Sequence, residues 1–264
     1  MKRGVVALAV AFGLGSSGCG APSRNESRLT IFAAASLAAA FNQIADTLRL
    51  RHPGLQVDFN FAGSQVLVLQ LTQGASADVF APADQRWMAV ARDSGLVEGI
   101  PLIFAHSGLA VIVPARNPAG IVRLQDLGRK GVKLVVAGET VPAGHYARQV
   151  IANLARAPGF SPDYEPRVLA NIVSNEESVK GVVTKVELGE ADAGIVYATD
   201  VTPEVRAKVQ RIEIPTERNV TAVYPIAALH RAGNPALARE FVELVMSGPG
   251  QRVLIGHGFR SPPI

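Results

Sequence analysis

The sequence predicts an α/β fold with open, mostly parallel sheets, because short apolar strands alternate with amphipathic helices along almost the whole chain. Two further observations support this class. The 264 residues are 48% hydrophobic and 18% charged, which is ordinary for a soluble globular protein. This length is enough for two lobes of about 100 residues each. The 25 glycines and 17 prolines are spread along the chain, as expected for many short connections rather than a disordered tract.

The first hundred residues give predicted elements in a regular order. After an apolar run at 29–32, a stretch that opens at Ser36 has apolar residues at helical spacing until Pro53-Gly54 stops it. Apolar and polar residues then alternate over 55–61, which predicts a strand. The remaining predictions in this part are a helix over 65–73, a short buried strand over 77–81, and a helix over 85–92 that Asp84 caps.

The same alternation continues towards the carboxyl end. The predicted strands are 109–113, 133–137 and 193–197. The predicted helices run over about 144–156, about 178–188 and 235–246. The segment Gly248-Pro249-Gly250 is expected to interrupt the chain before a final short helix.

The amino terminus has the pattern of an export signal. Two basic residues precede an apolar run over 5–14, which is too short to span a bilayer. The run ends in Ser16-Ser17-Gly18-Cys19, which resembles the lipobox of bacterial lipoproteins. We therefore predict a lipoprotein signal peptide over 1–18, acylation of Cys19, and a small, polar tether over 19–28. The alternative is an ordinary secretory signal in which Cys19 is a buried free cysteine.

Two serines stand where an α/β sheet binds ligands. Such ligands lie beyond the carboxyl ends of strands, where helix N-termini present unpaired N–H groups. Ser36 follows the first predicted strand and Ser64 follows the second, so each offers a hydroxyl and an amide at the positive end of a helix dipole. One such serine is more typical of a helix cap. Two in consecutive strand–helix units favour an anion site.

Eight short segments occur in a fixed order along the chain. They are 31–37 (IFAAASL), 61–64 (FAGS), 74–80 (GASADVF), 83–88 (ADQRWM), 141–147 (VPAGHYA), 193–197 (AGIVY), 224–226 (YPI) and 256–259 (GHGF). Together they resemble the periplasmic molybdate-binding proteins of bacterial and archaeal ABC importers, over about residues 29–261. The resemblance implies a two-lobed periplasmic-binding-protein fold of type II, with mixed sheets, flanking helices and a ligand cleft between the lobes.

The resemblance also implies how the ligand is held. In that family only neutral donors from both lobes contact the oxyanion, and here they would be the hydroxyls and amides of Ser36 and Ser64, the amides of Ala143 and Val179, and the hydroxyl of Tyr197. The segment 175–180 matches only loosely, so a neighbour of Val179 is an alternative donor. Molybdate carries no proton at neutral pH and needs no acceptor, so Glu176 and Glu177 are expected to point away.

The function implied by the resemblance is transport rather than catalysis. The protein would bind molybdate, and tungstate with it, outside the cytoplasmic membrane and deliver it to an ABC permease with its ATPase. It would act as a lipid-anchored monomer, without a cofactor. Lobe one would comprise 29–108 with 223–264, and lobe two 109–222. The alternatives are a binding protein for sulfate or phosphate, and an enzyme on the same two-lobed fold.

Charge and residue spacing argue against several other classes. Lys2 and Arg3 leave with the signal, and the remaining basic residues nearly balance the 22 acidic ones. The sequence shows no basic stripe with interleaved aromatics, which a nucleic acid partner would favour. The five histidines lack metal-ligand spacing, and the only cysteine lies in the signal, so we expect no bare metal cation and no disulfide. No nucleophile–base pairing is evident.

Overall fold

The computed structural model describes residues 27–262, which form two five-stranded sheets with helices packed on them. The predicted signal peptide, Cys19 and nearly all of the tether lie outside the described residues. The strands are β1 (Arg28–Ala34), β2 (Gln56–Ala62), β3 (Val79–Ala81), β4 (Leu102–Ser107), β5 (Leu109–Pro114), β6 (Leu134–Ala137), β7 (Ile172–Glu176), β8 (Ala193–Tyr197), β9 (Val209–Glu213) and β10 (Ala222–Ala228).

The helices alternate with these strands. They are α1 (Ala38–Arg51), α2 (Ser64–Thr72), α3 (Gln85–Asp93), α4 (Pro142–Ala155), α5 (Tyr164–Ala170), α6 (Val179–Glu187), α7 (Pro203–Arg206), α8 (Pro235–Met246) and α9 (Gly248–Gly256). Short 3-10 turns cover Ala35–Leu37, Leu124–Gly128 and Ala198–Asp200. Within 27–262, no helix is both long and apolar enough to cross a membrane.

The first sheet has the strand order β2-β1-β3-β10-β4. β1 runs parallel to β2 and β3, whereas β10 runs antiparallel to β3 and β4. Buried aromatic residues join helices to this sheet: the ring of Phe41 lies 5.4 Å from that of Phe241 and 5.6 Å from that of Phe104. These ring contacts bring three distant parts of the chain into one core. Burying such rings is among the largest favourable contributions to packing.

The second sheet has the order β7-β6-β8-β5-β9 and is built from one continuous part of the chain. β6 is parallel to β7 and β8, and β5 is antiparallel to β8 and β9. Gly194 in β8 lets α6 pack closely, because a Cβ there would lie only 2.8 Å from Val182 and 2.9 Å from Val186. This close packing fixes the height of α6 above the sheet.

The expectation of mostly parallel sheets is wrong, and that of mixed sheets is confirmed. Four of the eight strand pairings in the described part of the chain are antiparallel. Parallel neighbours need a crossover, usually a helix, as between β1 and β2. β5 and β10 instead enter their sheets directly after the chain passes from one sheet to the other, so no such crossover sets their direction.

Most predicted elements are present with shifted ends. The strand predicted over 193–197 matches β8 residue for residue. Gly248-Pro249-Gly250, predicted to interrupt the chain, instead begins α9, where Ser247 accepts a hydrogen bond from the Gly250 amide. α4 likewise begins earlier than predicted, at Pro142. Both differences have one cause: proline suits the first turn of a helix, where its missing N–H would have no partner anyway.

The chain passes between the sheets at Gly108 and again over 214–221, and one side chain joins these crossings. Asn219 donates from Nδ2 to the carbonyl oxygen of Leu109 (2.8 Å) and accepts from the Leu109 amide at Oδ1 (2.9 Å). Both backbone groups of Leu109 are thereby paired by one amide side chain. The two crossings are therefore held together as one connection.

Candidate functional site

The beginnings of four helical segments meet at a small cavity between the two sheets. All five residues named from the resemblance line it: Ser36 in the turn before α1, Ser64 at the start of α2, Ala143 in the first turn of α4, Val179 at the start of α6, and Tyr197 at the end of β8. Ser178, the neighbour of Val179, lines it as well. The cavity is small, so it suits a compact ligand rather than a peptide.

These four segments begin without a side-chain cap. The residues before them are Ala34, Gly63, Val141 and Ser178, and none accepts a hydrogen bond from its helix through its side chain. By contrast, side chains cap α3, α7, α8 and α9. The first N–H groups of a helix have no partner within it, so at the cavity they remain available to a ligand. Four helix dipoles also point their positive ends at this space.

Two glycines allow these beginnings to come so close. A Cβ at Gly63 would collide with the carbonyl oxygen of Glu177 in the opposite lobe. A Cβ at Gly144 would collide with the carbonyl oxygens of Gly138 and Ala137, against which α4 begins. The site therefore depends on the absence of a side chain at both positions.

Both serine hydroxyls already have one partner inside the protein. Ser64 is 1% exposed, and its Oγ accepts a hydrogen bond from the Ala83 amide at 3.0 Å. Ser36 is 6% exposed, and its Oγ lies 3.3 Å from the Tyr224 hydroxyl oxygen, where either atom could be the donor. Because the Ser64 oxygen accepts from an amide, its hydroxyl hydrogen is free to point into the cavity.

The Tyr197 hydroxyl is buried and makes no well-formed hydrogen bond with any described residue. Its ring packs against those of Tyr224 and Tyr146, with centroids 5.6 and 6.4 Å away, near enough for the phenols to influence each other's pKa. Burial, followed by these neighbouring phenols, raises the pKa of Tyr197 well above its usual value. The group therefore stays protonated and can act as a donor. A buried donor left unpaired costs about 1–3 kcal/mol, which a ligand oxygen would offset.

The described residues that line the cavity include no charged side chain. Two carboxylates lie behind the lining. Asp84 caps α3 by accepting from the Trp87 amide, and burial raises its pKa. Asp200 accepts from the Tyr197 amide and pairs with Lys180 at 3.1 Å; burial raises its pKa and the lysine opposes this shift.

The two glutamates next to Val179 have other partners. Glu176 forms an ion pair with Lys185 at 2.7 Å, and Glu177 contributes only its carbonyl oxygen to a contact described below. Neither lines the cavity, in agreement with the expectation that they point away. The immediate surroundings of the cavity thus offer donors and no carboxylate.

Two contacts, which we call the cleft latches, cross between the lobes beside the cavity. In the first, Trp87 Nε1 and Arg86 Nη2 both donate to the carbonyl oxygen of Thr140, at 2.9 and 2.8 Å. In the second, Gln65 Nε2 donates to the carbonyl oxygen of Glu177 at 2.9 Å. The two acceptors lie just before α4 and α6. The latches therefore hold in place the helix beginnings that carry Ala143 and Val179.

The sequence interpretation did not assign roles to Tyr224 or Gln65. Tyr224 lies in the segment 224–226, which gave a signal only as part of the resemblance. A side chain that donates to a backbone carbonyl more than fifty residues away leaves no periodicity or spacing to detect. Across the part of the chain that the structure describes, no group of three or more His, Cys, Asp or Glu is placed to hold a metal ion.

A larger cavity, of about 340 Å³, lies at the opposite end of β1 and includes Asp78. The carboxylate of Asp78 is already used, since it accepts from the amides of Thr30 (2.6 Å) and Asn234 (3.0 Å). This residue ties β1 to the start of α8. The small cavity between the lobes is therefore the better candidate for a binding site.

Comparison with known proteins gives a consistent result. Residues 29–260 match the family model described as bacterial extracellular solute-binding protein. The molybdate-binding protein ModA of Mycobacterium bovis is 38% identical over 269 residues, covering 99% of this chain and 98% of its own length.

Two solved structures share the fold. A periplasmic molybdate-binding protein of Azotobacter vinelandii is 19% identical with a TM-score of 0.76, and the match covers 89% of this chain and all of that one. The sulfate-binding protein SubI of Mycobacterium tuberculosis is 18% identical with a TM-score of 0.74, covering 89% of this chain and 87% of that one. At such identities the likeness concerns the fold alone, and it does not distinguish one oxyanion from another.

Proposed function

Since the chain belongs to the bacterial extracellular solute-binding proteins, in the group of the ModA-type molybdate-binding proteins, we propose that it binds molybdate in the cavity between its lobes and delivers it to an ABC importer. It is a binding protein and not an enzyme. The observation that carries the ligand assignment is the donor-only cavity. Four uncapped helix beginnings and one unpaired phenol face it, and no described carboxylate lines it.

The contacts proposed for the ligand come from the family resemblance, and the lining of the cavity supports them. The hydroxyls and amides of Ser36 and Ser64, the amides of Ala143 and Val179, and the hydroxyl of Tyr197 surround the ligand. Hydrogen bonds to a charged group contribute about 1.5–3 kcal/mol each. Several of them, after the losses on association, are enough for tight binding of a small dianion. Ser178 is the alternative to Val179, since both line the cavity.

Further parts of the proposal concern the assembly. Tungstate has the same charge and nearly the same size as molybdate, so we expect it to bind as well. A permease with its ATPase would receive the ligand, and a lipid on Cys19 would anchor the monomeric protein outside the cytoplasmic membrane, without a cofactor.

The lobes would be 29–108 with 223–264, and 109–222. In support, β1–β4 and β10 form one sheet and β5–β9 form the other.

Thermal unfolding with four oxyanions tests the proposed ligand. Molybdate and tungstate should raise the melting temperature strongly, because a ligand that binds only the folded state stabilises it. Sulfate has shorter bonds and cannot reach all donors at once, whereas hydrogen phosphate brings an O–H that finds no acceptor, at a cost of about 1–3 kcal/mol. Both should shift the melting temperature little at the same concentration. An equal shift with sulfate or phosphate would show that the selectivity is wrong.

A further inference from the structure

The hydroxyl of Tyr224 lies next to that of Ser36, and Tyr224 itself does not line the cavity. Tyr224 is fully buried, and its Oη is 3.3 Å from Ser36 Oγ although the two residues are 188 positions apart. Its ring contacts those of Phe259, Tyr197 and Phe104, with centroids 5.3, 5.6 and 6.2 Å away. The position of this hydroxyl is therefore fixed by packing on several sides.

The backbone of β10 also changes at this residue. The register between β10 and β4 shifts between Tyr224 and Pro225. Such irregularities re-aim a side chain relative to a regular strand and occur next to binding sites. Pro225 lacks an N–H and so loses no ladder bond at this point. The shift accordingly helps to set the direction in which Tyr224 points.

Either hydroxyl can donate in this contact, and we assign Tyr224 as the donor from the chemistry of the two groups. A phenol is intrinsically a stronger donor than an aliphatic hydroxyl, and burial raises the pKa of Tyr224, so its proton stays in place. When Tyr224 donates, a lone pair of Ser36 Oγ is occupied and the Ser36 hydrogen is free for the cavity. Chained hydrogen bonds of this kind polarise one another and strengthen the outer bond.

The hydroxyl of Ser64, the second serine of the site, also has an internal partner, but that partner is a backbone amide. Ser64 Oγ accepts a hydrogen bond from the Ala83 amide N–H, a group that can only donate. Each serine thus has a donor behind it, one a backbone N–H and one a phenol. The phenol is the one of the two that a conservative side-chain substitution removes.

We propose that Tyr224 is a positioning and specificity-determining residue, which holds Ser36 as a hydrogen-bond donor and thereby makes the site reject oxyanions that carry a proton. This inference rests on the proposed function, since it names how the same cavity selects among oxyanions. Without Tyr224, the Ser36 hydroxyl can turn and accept a hydrogen bond from the O–H of hydrogen phosphate.

A double-mutant cycle with molybdate as the probe tests the first half of this inference. Tyr224→Phe should weaken molybdate binding by about fivefold, the equivalent of one hydrogen bond. Ser36→Ala should weaken it by about tenfold or more. The double variant should bind no more weakly than Ser36→Ala alone, because Tyr224 acts through the serine. Calorimetric titration of the mature chain measures all four affinities.

Phosphate at neutral pH tests the second half. In Tyr224→Phe, the ratio of molybdate affinity to phosphate affinity should fall by about fivefold or more, as Ser36 gains the freedom to accept. Tyr164→Phe is the matched control. It removes another buried phenol, which donates to the Leu124 carbonyl oxygen at 2.8 Å in the second lobe. This control should leave both affinities unchanged while lowering stability.

The possible outcomes separate the two proposals. Additive effects of Tyr224→Phe and Ser36→Ala would overturn the role of Tyr224 while leaving molybdate binding intact. An unchanged ratio of molybdate to phosphate affinity would overturn the role in specificity. Absence of molybdate binding by the unaltered protein would overturn the proposed function and this inference together.

Discussion

Ser64 shows how much a single hydroxyl contributes to this cavity. It begins α2, faces the cavity and accepts the hydrogen bond of the Ala83 amide. Ser36 faces the same space, but its internal partner is the Tyr224 hydroxyl, whose hydrogen can rotate although packing fixes its oxygen. The two serines therefore look equivalent towards the ligand and differ in what they support inside the protein.

This difference predicts distinct effects for the two alanine substitutions. Ser36→Ala and Ser64→Ala should each weaken molybdate binding by about a factor of ten or more. Ser64→Ala should also destabilise the unliganded protein, by about 1–3 kcal/mol, since it leaves the buried Ala83 amide without a partner. Calorimetry and denaturant unfolding measure the two effects. Normal molybdate binding by both variants would place the site elsewhere.

Residue by residue, the sequence revealed only part of the site. Ser36 and Ser64 could be found because strand–helix junctions have a recognisable pattern and hydroxyls a recognisable chemistry. The roles proposed for Ala143 and Val179 rest on backbone amides, which any residue except proline provides, so only the resemblance indicated them. Tyr224 became visible only when folding brought it to Ser36, 188 positions away.

At the scale of elements, helices with caps and regular periodicity were predictable and several strands were not. β10 contains Pro225, which argues against an interior strand, yet the register shift there accommodates it. β7 and β9 are edge strands of the second sheet with polar residues, IVSNE and VQRIE, so they lack a clear apolar run. Their identity as strands depends on neighbours that the sequence alone does not specify.

The second cleft latch, between α2 and the beginning of α6, gives a prediction about rates. Gln65→Ala should speed molybdate release by about fivefold, because the bond from Gln65 to the Glu177 carbonyl oxygen joins the two lobes and must break before they separate. Association should change little, as it precedes closure. Trp87 is the only tryptophan and lies on the other latch, so its fluorescence in stopped-flow mixing can follow both rates.

Gln73→Ala is the control for this experiment. Gln73 lies at the other end of α2 and is exposed, so its removal should alter neither rate. If Gln65→Ala slows association instead and leaves release unchanged, the contact acts before closure and is not a latch.

At the scale of the whole molecule, the predicted anchor decides where the lobes operate. Cys19→Ala should move the protein from the membrane fraction to the soluble fraction, because the acyl chain would be lost. The binding of molybdate should be unaffected, since the site lies within 27–262. Fractionation followed by immunodetection measures the distribution. Unchanged membrane attachment would contradict the interpretation of the amino terminus as a lipoprotein signal.

The place of β10 between β3 and β4 in the first sheet also determines the order in which the molecule assembles. β4 pairs only with β10 among the described strands, and β10 must first meet β3 across a loop that contains all of β4 to β9. Closing so long a loop is entropically costly and slow. The second sheet needs only contiguous chain, so a growing polypeptide can complete it early. The first sheet, whose strands begin the chain, is thus the last to fold completely. Until it does, Ser36 lacks its contact with Tyr224.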